Sequence, residues 1–198
     1  INVIRSMNVE TKTLSVTCKS AQWNNVGHDN RIFCVKFIDN NCLMSGGWDS
    51  VVHIWDVREG RSVRHFLGPH ISGDSLDYQD GKILAGCYAA KNQIQVWSFG
   101  SCQKIEQIDW SENVDDAEYI YTAGYSKHNP GIFAAGSTGK NSEVRLFKEI
   151  EGQKHKKING ITGISQGVYS LDFAHKHQQF AFTTAHHGLY VYDYSKHK

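Results

Sequence analysis

The sequence predicts an all-β protein built from several stacked sheets. Its apolar stretches are short, rich in β-branched and aromatic residues, and bounded by turn residues, which is typical of strands. Glycine occurs 18 times and proline only twice. Stretches such as residues 32–38 are apolar on both faces, as a sheet must be when it lies between two other sheets. No segment shows the periodicity of a helix, so strands are expected throughout.

Short strands are predicted at nine places along the chain. They are Ile32–Ile38, Cys42–Ser45, Val51–Trp55, Lys82–Ala85, Ile94–Trp97, Ile132–Ala135, Val144–Phe147, Val168–Phe173 and Leu189–Tyr192. Many short strands of this kind call for a search for an internal repeat, because a missed repeat would give the wrong fold.

Composition and charge narrow the classes of function. The 198 residues suit one domain or part of a larger one, and the apolar share of 40% excludes disorder as the overall state. With 21 Lys and Arg against 20 Asp and Glu, the net charge is +1, so no overall field attracts nucleic acid or an anionic membrane. No apolar run approaches the ~18 residues of a membrane helix. We expect protein partners, no membrane contact, and no general affinity for nucleic acid.

The five cysteines indicate a reducing compartment. Their number is odd, no Cys-x-x-Cys motif occurs, and the chain has no Asn-x-Ser/Thr sequon. A secreted disulfide framework is normally denser and even-numbered. Free thiols that pack as small apolar side chains are therefore expected, in an intracellular protein of the cytoplasm or cytoskeleton.

Residues 27–56 and 68–98 share one pattern. In each, a histidine precedes a tryptophan by 27 residues, and the two copies are 42 residues apart. The pairs are His28 with Trp55 and His70 with Trp97. The first copy also has Ser45-Gly46, a turn at Asp49, and a closing Ile-Trp-Asp. This copy closely resembles a WD40 repeat, and the second copy resembles one well.

The resemblance implies a WD40-type β-propeller, in which each repeat supplies one four-stranded blade. Two degenerate copies end at Phe147 and Tyr192, so the closing aromatic residues are spaced by 42, 50 and 45 residues. About four blades are expected, as the C-terminal part of a larger ring that in this family is commonly seven-bladed. The predicted units of this single partial propeller, residues 1–198, are 1–11 (the end of a preceding blade), 12–56 (the best match), 57–98, 99–148 and 149–194. The extra residues of the third unit are expected around Ser111–Glu118.

One polar set in the first unit has two interpretations. It comprises His28, Ser45, Asp49 and Trp55. Serine, histidine and aspartate are the components of a hydrolase triad, but the WD40 resemblance implies a structural tetrad, a hydrogen-bonded chain from Trp through Ser and His to Asp. We favour the tetrad, and expect no catalytic residue. The second unit keeps a partial tetrad, His70 and Trp97, with Lys91 where the first has Asp49.

Neither a cofactor nor a metal is predicted. Residues 136–140 are similar to the end of a phosphate-binding loop, but Ala134 and Asn141 break the P-loop pattern and a strand follows. The last unit carries four histidines, in two turns about 20 Å apart at ~3.3 Å per residue, too far for one tetrahedral site. They are His175, His177, His186 and His187.

Two surface regions are candidates for partner binding. Arg31, Trp48 and Tyr88 are expected on the rim, which is the edge formed by the loops before the first strands and the turns after the second strands. Exposed aromatic residues of this kind often anchor interfaces, and the alternative is packing against the neighbouring blade. Residues 154–157 form the densest basic run, expected to be a solvated loop, with RNA or an acidic protein as the alternative contact. The acidic loop opposed to it comprises Glu112, Asp115, Asp116 and Glu118.

The predicted function is a noncatalytic scaffold for protein–protein interaction within a larger assembly. The first alternative is a propeller that recognises a peptide or substrate at its central mouth. A less favoured alternative is an RNA-contacting subunit of a ribonucleoprotein. An enzyme would require activity carried outside these residues, because no catalytic constellation is assembled within them.

Overall fold

A computed structural model describes residues 4–8, 13–18, 27–110, 118–150 and 154–195. Within these ranges the secondary structure consists of strands, turns and bends, and no helix occurs. β1 (Ile4–Asn8) pairs antiparallel with β2 (Thr13–Cys18). All of the other strands belong to four antiparallel sheets.

Each sheet is formed by strands that are consecutive along the chain. Sheet 1 contains β3 (Ile32–Phe37), β4 (Cys42–Gly47), β5 (Val51–Asp56) and β6 (Arg61–Leu67). Sheet 2 contains β7 (Leu76–Gln79), β8 (Lys82–Gly86), β9 (Ile94–Ser98) and β10 (Lys104–Ile108). Sheet 3 contains β11 (Tyr119–Tyr125), β12 (Ile132–Thr138), β13 (Val144–Ile150) and β14 (Lys154–Ile161). Sheet 4 contains β15 (Val168–Phe173), β16 (Gln179–Thr184) and β17 (Leu189–Asp193).

The all-β prediction and the propeller architecture are confirmed, with four sheets of three or four strands. All nine predicted strands are present. The strands that were not predicted include β6, β10 and β14, the outermost strands of their sheets. These strands mix charged, polar and apolar residues, most of them exposed or partly exposed, so they lack the two-sided apolar pattern that marks the others.

The sheets pack face to face, and each interface holds one apolar cluster. Met44 and Ile54 of sheet 1 pack with Leu76 and Ile83 of sheet 2. The corresponding cluster between sheets 2 and 3 contains Leu84, Ile94, Ile120 and Phe133, and the one between sheets 3 and 4 contains Ala134, Leu146, Val168 and Phe180. Because sheets 2 and 3 each bury both faces, their strands are apolar on both sides.

The first strands of the sheets, β3, β7, β11 and β15, lie next to one another in that order. They begin at the rim, where the turns after β4, β8, β12 and β16 also lie. The rim is tightly packed at Gly47, where an added Cβ would lie 1.9 Å from Arg31 O, and at Gly73, where it would lie 2.2 Å from Tyr121 O. Glycine is therefore required at both positions.

The basic run at residues 154–157 is not a loop, contrary to the sequence-based expectation. These residues begin β14, which pairs with β13 over its whole length. His155 faces inward and packs edge-on against Phe133 at 4.9 Å between ring centroids, whereas the three lysines are exposed.

Candidate functional site

Sheet 1 holds a continuous polar network at the rim. The His28 ring lies between Asp49 and Ser45, with Nδ1 2.6 Å from Asp49 Oδ2 and Nε2 2.7 Å from Ser45 Oγ. The indole Nε1–H of Trp55 donates to Ser45 Oγ at 2.8 Å. Since a carboxylate only accepts, His28 carries its proton on Nδ1, and the donors run from Trp55 through Ser45 and His28 to Asp49.

Asp49 also organises the turn after β4. Its carboxylate accepts the backbone N–H groups of Asp29 and Val51, each at 3.2 Å. The next residue, Ser50, has a φ of 59°, a left-handed conformation that is uncommon for a residue other than glycine. The network therefore ties the loop before β3, the strand β4, the turn and the strand β5 together.

This network lacks the access that a hydrolase needs. Ser45 is fully buried, and its hydroxyl already contacts both Trp55 and His28. The side chains of His28 and Asp49 are 0% and 3% exposed. A serine nucleophile must reach a substrate carbonyl, so the geometry fits a structural role for the four residues.

His53 lies directly beside the network. Its ring is 4.5 Å from that of His28, its Nδ1 is 2.9 Å from Ser62 Oγ, and its buried Nε2 has no partner among the described residues. Burial, together with the neighbouring histidines, lowers the pKa of His53 to about 4, so the ring is neutral at pH 7. One potential ligand atom each from His28, Asp49 and His53 lies within 4.8 Å of the others, but both nitrogens of His28 are already hydrogen-bonded.

In sheet 2 His70 and Trp97 belong to different hydrogen bonds. His70 Nδ1 lies 3.2 Å from Ser50 Oγ in sheet 1, whereas Trp97 Nε1–H donates to Gln95 Oε1 at 3.1 Å. Ala85 stands in the register position of Ser45, opposite Gln95 as Ser45 is opposite His53. The indole therefore takes its acceptor from its own strand, and Lys91 is exposed in the turn.

Gln95 was not predicted as part of any network, yet its side chain links this turn to Trp97 by two hydrogen bonds. Its Nε2 donates to Asn92 O at 3.4 Å while its Oε1 accepts from Trp97. Gln93 acts similarly in the same turn, because its Nε2 donates to Ala90 O at 2.9 Å and its Oε1 accepts the backbone N–H of Trp110 at 3.0 Å. The signal that could have found Gln95 is a polar residue two positions before the tryptophan, on the same face of the strand.

Sheet 3 uses a buried carboxylate at the corresponding place. Glu118 is 3% exposed, and it accepts hydrogen bonds from the Ser137 hydroxyl at 3.0 Å and the Asn141 N–H at 2.6 Å. The prediction that placed Glu118 in a solvated acidic loop is wrong, because these donors compensate its burial. The other acidic residues of that loop, Glu112, Asp115 and Asp116, lie outside the described residues.

Two further sequence motifs have a plain structural explanation. Residues 136–138 continue β12, and Gly139 follows with a φ of 158° before β13 begins, so the phosphate-loop likeness falls on a strand and a turn. The four histidines of sheet 4 lie in turns on either side of β16. Within the described ranges they form no cluster with metal-ligand geometry.

Trp48 and Arg31 form one aromatic contact on the rim. The Arg31 guanidinium lies 4.9 Å from the Trp48 ring centroid, and the Phe33 ring centroid lies 5.1 Å from that of Trp48. Trp48 Nε1–H donates to Ser72 Oγ of the next sheet's loop at 2.9 Å, and the side chain remains 38% exposed. Trp48 therefore both packs against the neighbouring blade and presents a face to solvent.

Tyr88 begins a second aromatic cluster, which crosses three sheets. Its ring stacks on Tyr119 at 4.6 Å and lies 6.3 Å from Tyr121, which in turn lies 4.8 Å from Tyr169. Tyr88 is 41% and Tyr169 43% exposed. The three partner tyrosines were missed, although Tyr119 and Tyr121 are two residues apart and so share one face of a strand.

Comparisons with known proteins agree with this architecture. The family described as "WD domain, G-beta repeat" matches residues 20–56. Elongator complex protein 2 of Drosophila melanogaster is 34% identical over 164 residues, which cover 75% of this chain and 20% of that protein. E3 ubiquitin-protein ligase COP1 of Arabidopsis thaliana is 26% identical over 120 residues, which cover 57% of this chain and 18% of that protein. The chain thus spans about a fifth of the length of these two relatives.

A solved structure shares the fold. The crystal structure of the computationally designed Ika4 protein superposes with a TM-score of 0.66 at 18% sequence identity, covering 84% of this chain and 93% of that one. At this identity the likeness bears on the fold alone. Among the described residues, no helix is long and apolar enough to cross a membrane.

Proposed function

Since this chain belongs to the WD40-repeat β-propeller family, we propose that it is a noncatalytic scaffold that binds another protein subunit through the aromatic rim. WD40 propellers generally serve as scaffolds for protein–protein interaction, and the relatives include a protein named as part of the Elongator complex. The single observation that carries the proposal is the row of partly exposed aromatic side chains along the rim.

The rim has the properties of an interaction hot spot. Trp48 and Tyr88 lie at equivalent turns of neighbouring sheets, which follow β4 and β8, and both are held by contacts within the protein. Rigid aromatic anchors lose little side-chain entropy on binding, and such residues dominate interface energetics. The buried tetrad behind Trp48 holds its turn in place.

The proposed location is intracellular, in the cytoplasm or cytoskeleton. Cys34 and Cys87 are buried free thiols, and burial raises the pKa of each to about 12. Such thiols are unreactive core residues, which suits a reducing compartment.

The test is affinity capture with the full-length protein. Trp48→Ala or Tyr88→Ala is expected to weaken binding of the captured subunits by roughly tenfold or more, because truncation of an aromatic anchor typically costs 2 kcal/mol or more. Neutralisation of Lys154, Lys156 and Lys157 together serves as the control and is expected to matter much less. Quantitative mass spectrometry of the captured proteins gives the measurement. Loss of the partner in the lysine variant, with retention in both aromatic variants, would reverse the assignment.

A recognition propeller is the second candidate, because a charged cleft of about 240 Å³ lies between β3, β7, β11 and β15. Lys36, Asp77 and Asp172 line it, and burial raises the pKa of Asp77. Partner loss in Lys36→Ala, but not in Trp48→Ala, would favour peptide recognition in this cleft over the rim.

A further inference from the structure

Four tyrosines of the rim form one continuous aromatic surface. They are Tyr88, Tyr119, Tyr121 and Tyr169, here called the tyrosine cluster. The Tyr121 ring stands at 84° to the ring of Tyr88 and at 73° to that of Tyr169, so ring faces alternate with ring edges along the surface. Gly73 packs directly against Tyr121, because an added Cβ would lie 2.4 Å from Cδ1 of that ring. The surface is therefore stepped rather than flat, and its central ring is fixed from one side.

Backbone hydrogen bonds fix the segments that carry these rings. The Tyr88 N–H donates to His70 O at 2.8 Å, and the Ile120 N–H donates to Cys87 O at 3.1 Å. Within this fixed frame, Tyr88 and Tyr169 are still 41% and 43% exposed. The exposed faces are therefore preformed, and little side-chain entropy is lost when a ligand covers them.

The hydroxyl groups of the tyrosine cluster differ from those of other tyrosines in this protein. The hydroxyl of Tyr192 bonds Asn159, and that of Tyr194 bonds Ser126. Among the described residues, no hydroxyl of the tyrosine cluster has a hydrogen-bonded partner of this kind. Since a phenol O–H can donate to an acceptor of a ligand, the cluster combines apolar ring faces with several hydrogen-bond donors.

Among the described residues, no cation lies over a ring of the tyrosine cluster. The cation–π contacts of these residues all involve tryptophan or phenylalanine, such as Trp48, which lies beneath the Arg31 guanidinium. Surfaces that bind single-stranded nucleic acid combine stacking rings with positive charge, and carboxylates of an acidic peptide likewise pair best with cations. A neutral ligand therefore complements the tyrosine cluster best.

We infer that the tyrosine cluster binds a proline-rich segment of a partner protein in the polyproline II conformation. Such a segment makes no internal hydrogen bonds, so its carbonyl oxygens need donors from outside, and its prolines have no N–H group to satisfy. A surface of phenol donors and ring faces matches both properties. The proline rings pack on the tyrosine faces, and the preformed segment loses little entropy on binding. The inference rests on the proposed role of the rim in protein binding and names the class of segment that the rim takes.

The probe is a fluorescein-labelled peptide of about ten consecutive prolines, and fluorescence anisotropy with the full-length protein measures its affinity. Tyr169→Ala is expected to weaken binding by roughly tenfold or more, because it removes an exposed aromatic face. The matched control, Tyr190→Ala, removes a tyrosine of β17 that is 50% exposed and is expected to leave affinity within about twofold. Equal losses in the two variants would overturn the assignment of the site.

A conservative variant tests the hydrogen bonds without disturbing the packing. Tyr88→Phe combined with Tyr121→Phe keeps both rings and removes two donors, so affinity is expected to fall by roughly threefold to tenfold. Because phenylalanine preserves the ring contacts, this loss cannot come from unfolding. Unchanged affinity would overturn the inference, since recognition of the carbonyl groups is what selects a polyproline II segment.

Other probes separate this ligand from its competitors. A glycine–serine peptide of the same length is expected to bind at least about tenfold more weakly, because it is flexible and has no proline rings. Equal binding of that peptide, or tighter binding of oligouridine that depends on the same tyrosines, would overturn the proline-rich assignment. Absence of polyproline binding up to about 1 mM would overturn the inference as a whole. Trp48→Ala is expected to weaken subunit capture but to bind polyproline normally, so failure of the rim proposal is distinguished from failure here.

Discussion

Sheets 1 and 2 have the same four-stranded topology but hold their rim turns by different hydrogen bonds. In sheet 1 the Trp55 indole is linked through Ser45 and His28 to Asp49, across two strands and two loops. In sheet 2 the Trp97 indole is linked only to Gln95 and, through it, to Asn92 of the adjacent turn. A long-range hydrogen-bond network in sheet 1 and two local hydrogen bonds of Gln95 in sheet 2 therefore support the same blade geometry.

This difference shows that the indole N–H of the closing tryptophan needs a hydrogen-bond acceptor, but that the acceptor can be serine or glutamine. Trp55 and Trp97 are 3% and 8% exposed, so each indole N–H must be paired to avoid a desolvation cost. Ala85 removes the serine acceptor in sheet 2, and Gln95 supplies another from the same strand. The His70 side chain then contacts Ser50 of sheet 1 instead, while its carbonyl oxygen accepts the backbone N–H of Tyr88 in its own blade at 2.8 Å.

The largest difference between sheets 1 and 2 is expected when Asp49, the acid of the long-range network, is removed. Asp49→Ala is expected to lower stability by roughly 1 to 3 kcal/mol, because it leaves the His28 N–H and two backbone N–H groups without their acceptor. Lys91→Ala, the matched change in sheet 2, is expected to be close to neutral. Hydrogen exchange of the β4 and β5 amides in the full-length protein measures the local effect. Equal costs for the two variants would contradict the assignment of a single complete tetrad.

A smaller loss of stability is expected when the local hydrogen bonds of Gln95 are removed. Gln95→Ala leaves the buried Trp97 N–H unpaired and is expected to cost about 1 to 2 kcal/mol, seen as faster exchange of the β8 and β9 amides. Ala85→Ser in the same chain places a hydroxyl at the Ser45 position and is expected to recover part of that loss. If Gln95→Ala alone is neutral, the hydrogen bond to Trp97 does not stabilise sheet 2.

The smallest predicted effect is a pH dependence confined to sheet 1. Because the pKa of His53 is lowered from 6.5 to about 4 in the folded protein, the unfolded state binds the proton more readily between these values. Stability is therefore fully present well above pH 6.5 and falls as the pH decreases, by about 1 kcal/mol at roughly pH 6 and further toward pH 4. His53→Gln is expected to flatten this dependence in β5, whereas the exchange of β9 should respond equally in both proteins. A pH response in β5 that the substitution leaves unchanged would show that other groups cause it.

Much of the fold followed from local patterns in the sequence. Short two-sided apolar stretches predicted the strands of the sheet interiors, and the histidine-to-tryptophan spacing of 27 residues located two blades. These features are local because strand burial repeats every second residue and each blade contains consecutive strands. The outer strands β6, β10 and β14 escaped prediction because solvent on one face permits charged residues.

The sequence by itself determined that this chain forms an all-β propeller segment, and it indicated which four side chains of the first blade belong together. Tertiary structure alone decided which partner each polar group takes elsewhere. Gln95 pairs with Trp97 only because β8 brings an alanine to face it, and Glu118 is buried only because Ser137 and Asn141 donate to it. The carboxylate of Glu106 in sheet 2 bonds the backbone of His155 in the neighbouring sheet 3. Hydrogen bonds of this kind join residues up to 68 positions apart, and neither spacing nor composition encodes which donors and acceptors packing will bring within about 3 Å.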